Sequence, residues 1–172
     1  GLCAGTYYYV ISDANNNICC SGSVIVNINT PLYGCTDSLA INYNPQSTID
    51  DGSCIYTIDI ARNKPLGSLV TVVGIVTNGA EFGGLRFLQD NTGGIAAYDS
   101  TELLVSNINR GDSITVTGQL GVYRGLLEIY INQTPIVHSN NNNLPTPQLV
   151  TPLQIGESTE SKLVQLNNII FN

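Results

Sequence analysis

LVTVVGIVTN, residues 69–78, decides the fold. Rich in β-branched side chains, it gives a strong strand signal. Gly74 stands at its centre, and a glycine inside a strand marks the bend that a small barrel requires. Four further strand signals follow at residues 85–89, 94–98, 113–123 and 126–132, each bounded by Gly, Asn or Asp. The Tyr123-Arg124-Gly125 turn makes the last two a hairpin. The expectation is an all-β chain whose main body, residues 57–139, is a five-stranded barrel.

A helix-tolerant stretch, residues 101–108, falls between the third and fourth of these strands, which is the element order of an OB-fold barrel. The phrases VTVVGIVTNG, FLQDNTGGIAAYD and GDSITVTGQLGVYRGLLEI also resemble the OB-fold modules of secreted bacterial nucleases and related surface proteins. That resemblance implies tandem copies. LVTVVGIVTN recurs as LVQLNNIIFN at residues 163–172, with Leu, Val, Ile and Asn shared. Between the two copies, SNNNNLPTPQLVTP reads as a polar, proline-stiffened linker. Residues 140–160 are thus expected to be linker, and residues 161–172 the opening strand of a second OB-like module.

Ahead of the barrel, GCTDSLAINYNPQSTIDDGSC, residues 34–54, is a loop closed by a disulfide between Cys35 and Cys54. Residues 34–56 form this module. It holds Asp37, Asn42, Asn44, Asp50 and Asp51, with Gly52 placed for a tight turn and no Lys or Arg. Two readings stand. Hard oxygen ligands gathered in this way suit calcium; equally, Asp and Asn side chains cap their own turns by bonding backbone amides two residues on. The spacing is not that of an EF-hand, and a transition-metal set is missing because the only histidine, His138, lies far along the chain. The segment is similar to the GCTD…NYNP…DDGSC modules of large secreted and surface proteins of the Bacteroidota, which implies an exported multidomain protein.

Residues 1–33 show two alternating runs, 7–11 and 23–28, around a turn at 13–17: a β-hairpin. An isolated hairpin is marginal in water and needs further strands. GLCAGTYYYVISDANNNICC and the closing VNINTP resemble the last half of the SprB-type repeat of bacterial gliding adhesins. The resemblance implies a partial immunoglobulin-like β-sandwich, with Cys3 pairing with Cys19 or Cys20. Five cysteines cannot all pair among themselves, so one partner is expected upstream of Gly1. Either way the compartment is an oxidising one, and the localisation expected is secreted or on the cell surface.

Lys and Arg number 6 against 13 Asp and Glu, a net charge of −7, which repels phosphate backbones and argues against nucleic acid as a partner. No apolar run reaches the roughly 18 residues of a membrane span. No GxSxG turn or Cys/His pairing is present, and Asp50 and Asp51, being adjacent, point apart. No catalytic residue is therefore assigned. The candidates for a stacking surface are Phe82, Arg86, Phe87, Tyr98, Tyr123, Arg124 and Tyr130, with core packing as the competing use and Arg86 and Phe87 on opposite faces of one strand. Ser38, Ser100 and Ser113 each follow an Asp, resembling the Asp-Ser-apolar sites O-glycosylated in exported Bacteroidota proteins, and Asn132 opens a formal N-glycosylation sequon. The expected function is a non-catalytic segment of a large secreted adhesin or filament, stiffened by disulfides and, on the ligand reading of the loop, by calcium. Its expected partners are neighbouring subunits or surface ligands such as glycans. The alternative is a substrate- or nucleic-acid-binding OB module of a secreted nuclease or hydrolase whose catalytic domain lies outside these residues.

Overall fold

A computed structural model describes residues 3–27, 30–100, 104 and 107–169 and divides the chain into two compact units, residues 1–32 and 33–172. The first is a hairpin of β1 (Gly5–Ser12) and β2 (Ile18–Val26). Asp13 builds its turn by accepting the backbone N–H groups of Asn15 and Asn17 at 2.8 and 2.9 Å, and Asn16 takes up positive φ there. Both faces are exposed: Tyr8, Val10 and Ile25 stand open on one, Tyr9, Ile11 and Val24 on the other, and Tyr8 is 84% accessible.

The hairpin corrects one expectation. Its register sets Cys20 opposite Ile11, while Cys3 precedes the strand that starts at Gly5. Eight extended residues span roughly 25 Å, far beyond the Cα separation that a disulfide bridges. Cys3, Cys19 and Cys20 are accordingly free and exposed, and the Cys3–Cys19 pairing is not formed.

In the second unit a short helix α1 (Ile58–Arg62) precedes β3 (Leu69–Val76), β4 (Leu85–Gln89), β5 (Gly94–Tyr98), β6 (Ser113–Tyr123) and β7 (Leu126–Ile131). Pairing runs β3–β4–β5–β7–β6 and returns from β6 to β3, so the sheet closes on itself. β5 and β7 run parallel; the other contacts around the ring are antiparallel. That order, with a parallel third-to-fifth contact, is the topology of an OB barrel. Gly74 sits where β3 leaves β6 for β4; a Cβ there would stand 3.1 Å from that of Leu88 and 3.3 Å from the Gln89 backbone. The added strand β8 (Ile136–Ser139) pairs with β6 outside the ring.

Val70, Val72, Leu88, Ile95, Ile114, Val116 and Ile129 fill the barrel, and Ile58 and Ala61 of α1 join the same core. The turn after β4 seats that helix: Asp90 accepts the Ile58 N–H at 2.9 Å and Thr92 Oγ1 the Asp59 N–H at 3.1 Å. Of the helix-tolerant stretch 101–108, residues 101–103, 105 and 106 lie outside the described residues; Leu104 and Ile108 are buried in the core. Residues 157–163, the end of the expected linker and the start of the expected second module, lie along the barrel. Arg62 is paired with Glu157 at 2.6 Å and Glu160 at 3.1 Å, and the Leu163 N–H donates to Gln89 Oε1 at 2.8 Å. β9 (Gln148–Leu149) and β10 (Val164–Gln165) pair in parallel, and of the expected strand 161–172, residues 170–172 lie outside the described residues. No helix among the described residues is long and apolar enough to cross a membrane, which says nothing of strands.

Candidate ligand-binding face

The Cys35–Cys54 disulfide is formed, with the two Cα atoms 4.8 Å apart. Each of the five acid and amide candidates of its loop is engaged, whereas the buried Ser47 hydroxyl in the same loop has no partner among the described residues. Asn42 takes the Ile55 N–H on Oδ1 and donates to the Ser53 carbonyl; Asn44, Asp50 and Asp51 accept the N–H groups of Gln46, Gly52 and Ser53, each two residues on. Asp37 bridges loop and barrel. One oxygen accepts the Leu39 N–H, and the other meets the Tyr56 hydroxyl at 2.9 Å and Lys64 Nζ at 2.5 Å. Hydrogen bonding from Lys64 leads the causes that hold the Asp37 carboxyl down at about 2, and burial, aided by Asp37, pushes the Tyr56 phenol up to about 12. Lys64 also lies 4.4 Å from the centroid of the Tyr56 ring. Among the described residues, no three of His, Cys, Asp and Glu come together as a metal-holding group.

The aromatic candidates separate by strand parity. Arg86 points inward and is fully buried; its guanidinium donates to the carbonyls of Gly83, Leu85, Leu104 and Ile108, so it is unavailable to a ligand. Burial holds its pKa below the ordinary value. Phe87 faces out and meets Phe82 edge-on, with centroids 6.1 Å apart, beside a hollow of about 320 Å³ that Asn78 and Lys162 also line.

On the same outer face the register sets Phe87, Ala96, Glu128 and Gly121 in one row across β4, β5, β7 and β6, and Leu85, Tyr98, Tyr130 and Gln119 in the next. Alanine and glycine flank Glu128, which leaves a recess, and larger side chains wall it. Tyr98 and Tyr130 stand at 89° to each other with centroids 6.2 Å apart, and Tyr123 completes a hollow of about 320 Å³ with Glu128 in its lining. A Cβ on Gly121 would collide with the Tyr130 ring, so glycine there permits the ring's position. Tyr98 and Tyr123 are 40% and 56% accessible, whereas Glu128 is only 3% accessible. Burial alone raises the Glu128 carboxyl above its usual range, and Tyr130 is raised by burial and then by the nearby Glu128. Arg124 lies over the outer tyrosine, 5.4 Å from the Tyr123 centroid.

Glu128 was not singled out by sequence. A lone acid in LLEIYI on the Leu126 and Tyr130 face was the available signal, but its cross-strand neighbours depend on register. His138 is exposed, its Nε2 2.7 Å from Thr115 Oγ1. Of the glycosylation candidates, Ser38 and Ser100 are exposed in a turn and a bend, and Ser113 is half-buried at the start of β6, opposite Ile75 and Ser139. Asn132 follows β7 and is exposed.

No protein-family profile matches the chain. Endonuclease YhcR of Bacillus subtilis (strain 168) is 36% identical over 124 residues, a match covering 66% of this chain and 10% of that protein. The chain thus spans about a tenth of the length of the curated relative it matches. Among solved structures, the hypothetical protein ygiW of E. coli aligns with a TM-score of 0.43 and 16% identity over 50% of this chain and 91% of its own. The p204 HINb domain aligns at 0.42 and 13% over 74% of this chain and 60% of its own.

Proposed function

We propose that this chain is a non-catalytic binding module of a larger exported protein, whose barrel presents ligand to a nuclease-type domain carried elsewhere on the same polypeptide. The carrying observation is a closed OB barrel with open aromatic hollows on its outer face, and the identity to an endonuclease supports the kind of protein it serves. The Cys35–Cys54 bridge fits an oxidising compartment. The ligand proposed is single-stranded nucleic acid resting on Phe82 and Phe87, where Lys162 supplies a positive charge that is in no salt bridge among the described residues.

Fluorescence anisotropy with a labelled single strand of about 12 nucleotides tests this, since OB folds take up strands of that order. Binding that weakens as salt rises, and that falls about 5- to 100-fold in Phe82→Ala and Phe87→Ala, is the expected result. No binding at low salt, or binding indifferent to both substitutions, would overturn it.

A second reading, a serial β-module of a surface fibre, is favoured by the hairpin β1–β2. It exposes apolar side chains on both faces and needs further strands to be stable.

A further inference from the structure

We propose that the hollow walled by Tyr98, Tyr123 and Tyr130, with Glu128 at its floor, binds an organic ammonium cation such as a quaternary or alkylated amine head group. This stands whether or not the barrel also holds nucleic acid at Phe82 and Phe87. The shape comes first. Two rings at 89°, 6.2 Å apart, give perpendicular walls, the third tyrosine closes the side, and the about 320 Å³ enclosed lies at the small end of ligand pockets. The faces of tyrosine rings attract diffuse cations through their quadrupole. Arg124 over the Tyr123 ring shows one such contact already made within the chain.

The independent observation is Glu128. Its side chain lines the hollow, the residue is 3% accessible, and among the described residues it has neither a salt bridge nor a hydrogen-bond partner. The residue is largely buried and its carboxyl oxygens, open only to the hollow, find no partner among the described residues; a cation is the ligand that would complete them. A phosphate group would be repelled from the same floor, so a ligand that carries one must enter ammonium first. A compact metal ion would find one carboxylate and ring faces in place of an oxygen shell. An alkylated ammonium matches both the rings and the charge.

Calorimetric titration of the full chain with choline and with its neutral isostere 3,3-dimethyl-1-butanol separates charge from shape. Choline is expected to bind saturably and at least ~10-fold more tightly than the isostere. Glu128→Gln is expected to remove most of that preference while the melting temperature is kept or raised. Tyr123→Ala, at the exposed end of its hairpin, should weaken choline without unfolding the barrel. Equal binding of the two compounds, no binding of choline, or unchanged choline affinity in both variants would overturn the proposal, as would displacement of choline by the single-stranded oligonucleotide. Co-sedimentation with phosphatidylcholine vesicles, against phosphatidylglycerol vesicles, distinguishes a lipid-borne head group from a free one; retention of choline binding supports the site in either case.

Discussion

The loop between Cys35 and Cys54 and the outer face around Glu128 put their polar side chains to opposite uses. The loop crowds five acid and amide side chains into a short span, yet each holds the loop's own backbone or, for Asp37, Lys64 and Tyr56. The outer face has one acid among tyrosines, 3% accessible, whose carboxyl opens onto the hollow with no partner among the described residues. Density of polar groups therefore measures how much hydrogen bonding a loop needs when it has no core. An unsatisfied group in a recess is the better mark of a binding site.

The largest test of the difference is to open the loop. Replacing Cys35 and Cys54 together with serine should cost about 3 kcal/mol by the chain-entropy estimate, read as a lower urea midpoint, with choline binding at the tyrosines unaffected in the folded protein. Next, Asn42→Ala removes the acceptor for Ile55 N–H and the donor to the Ser53 carbonyl and should cost about 1–3 kcal/mol. If the same loss appeared with Asp51→Ala, whose one partner among the described residues is Ser53, two residues on, the contrast between a cross-loop brace and a turn cap would fail.

Glu128→Gln should move stability the other way. A carboxyl whose folded pKa is raised binds protons more readily in the native state, so its penalty is absent below the unfolded pKa and grows as pH rises through the folded one. The variant should gain on the order of 1–3 kcal/mol at neutral pH and nothing in acid, measured by thermal melts across pH. Asp37 has the opposite sign. Held down at about 2, it contributes stability that is complete above its ordinary pKa and is lost as pH falls from there to about 2. Lys64→Met should flatten that acid limb. The smallest expected effect is that of calcium, which should leave the melting temperature of the oxidised chain unchanged, because the loop oxygens already hold backbone donors.

Much of the barrel was legible in the sequence. β4, β5 and β6 run where alternation and their Gly, Asn and Asp borders set them, because local pattern is what those signals encode. The five-residue helix α1 was not, being too short to show a helical period. Nor were the ion pairs of Arg62 with Glu157 and Glu160, whose partners lie 95 and 98 residues away. Arg86 illustrates the same limit from the other side. Its strand parity against Phe87 was readable, but that Arg86 was the inward one required knowing the carbonyls of Leu104 and Ile108 that receive it. The recess at Glu128 depends on Ala96 and Gly121 standing beside it across two strand pairings, which no local window contains.

One pair of titrations followed by NMR on a single isotope-labelled, oxidised sample tests the central contrast most directly. Choline should shift the resonances of Tyr98, Tyr123, Glu128 and Tyr130, and calcium should leave those of residues 35–54 in place. Calcium-induced shifts at Asp37, Asp50 and Asp51, with the tyrosines silent to choline, would reverse the assignment of site and scaffold.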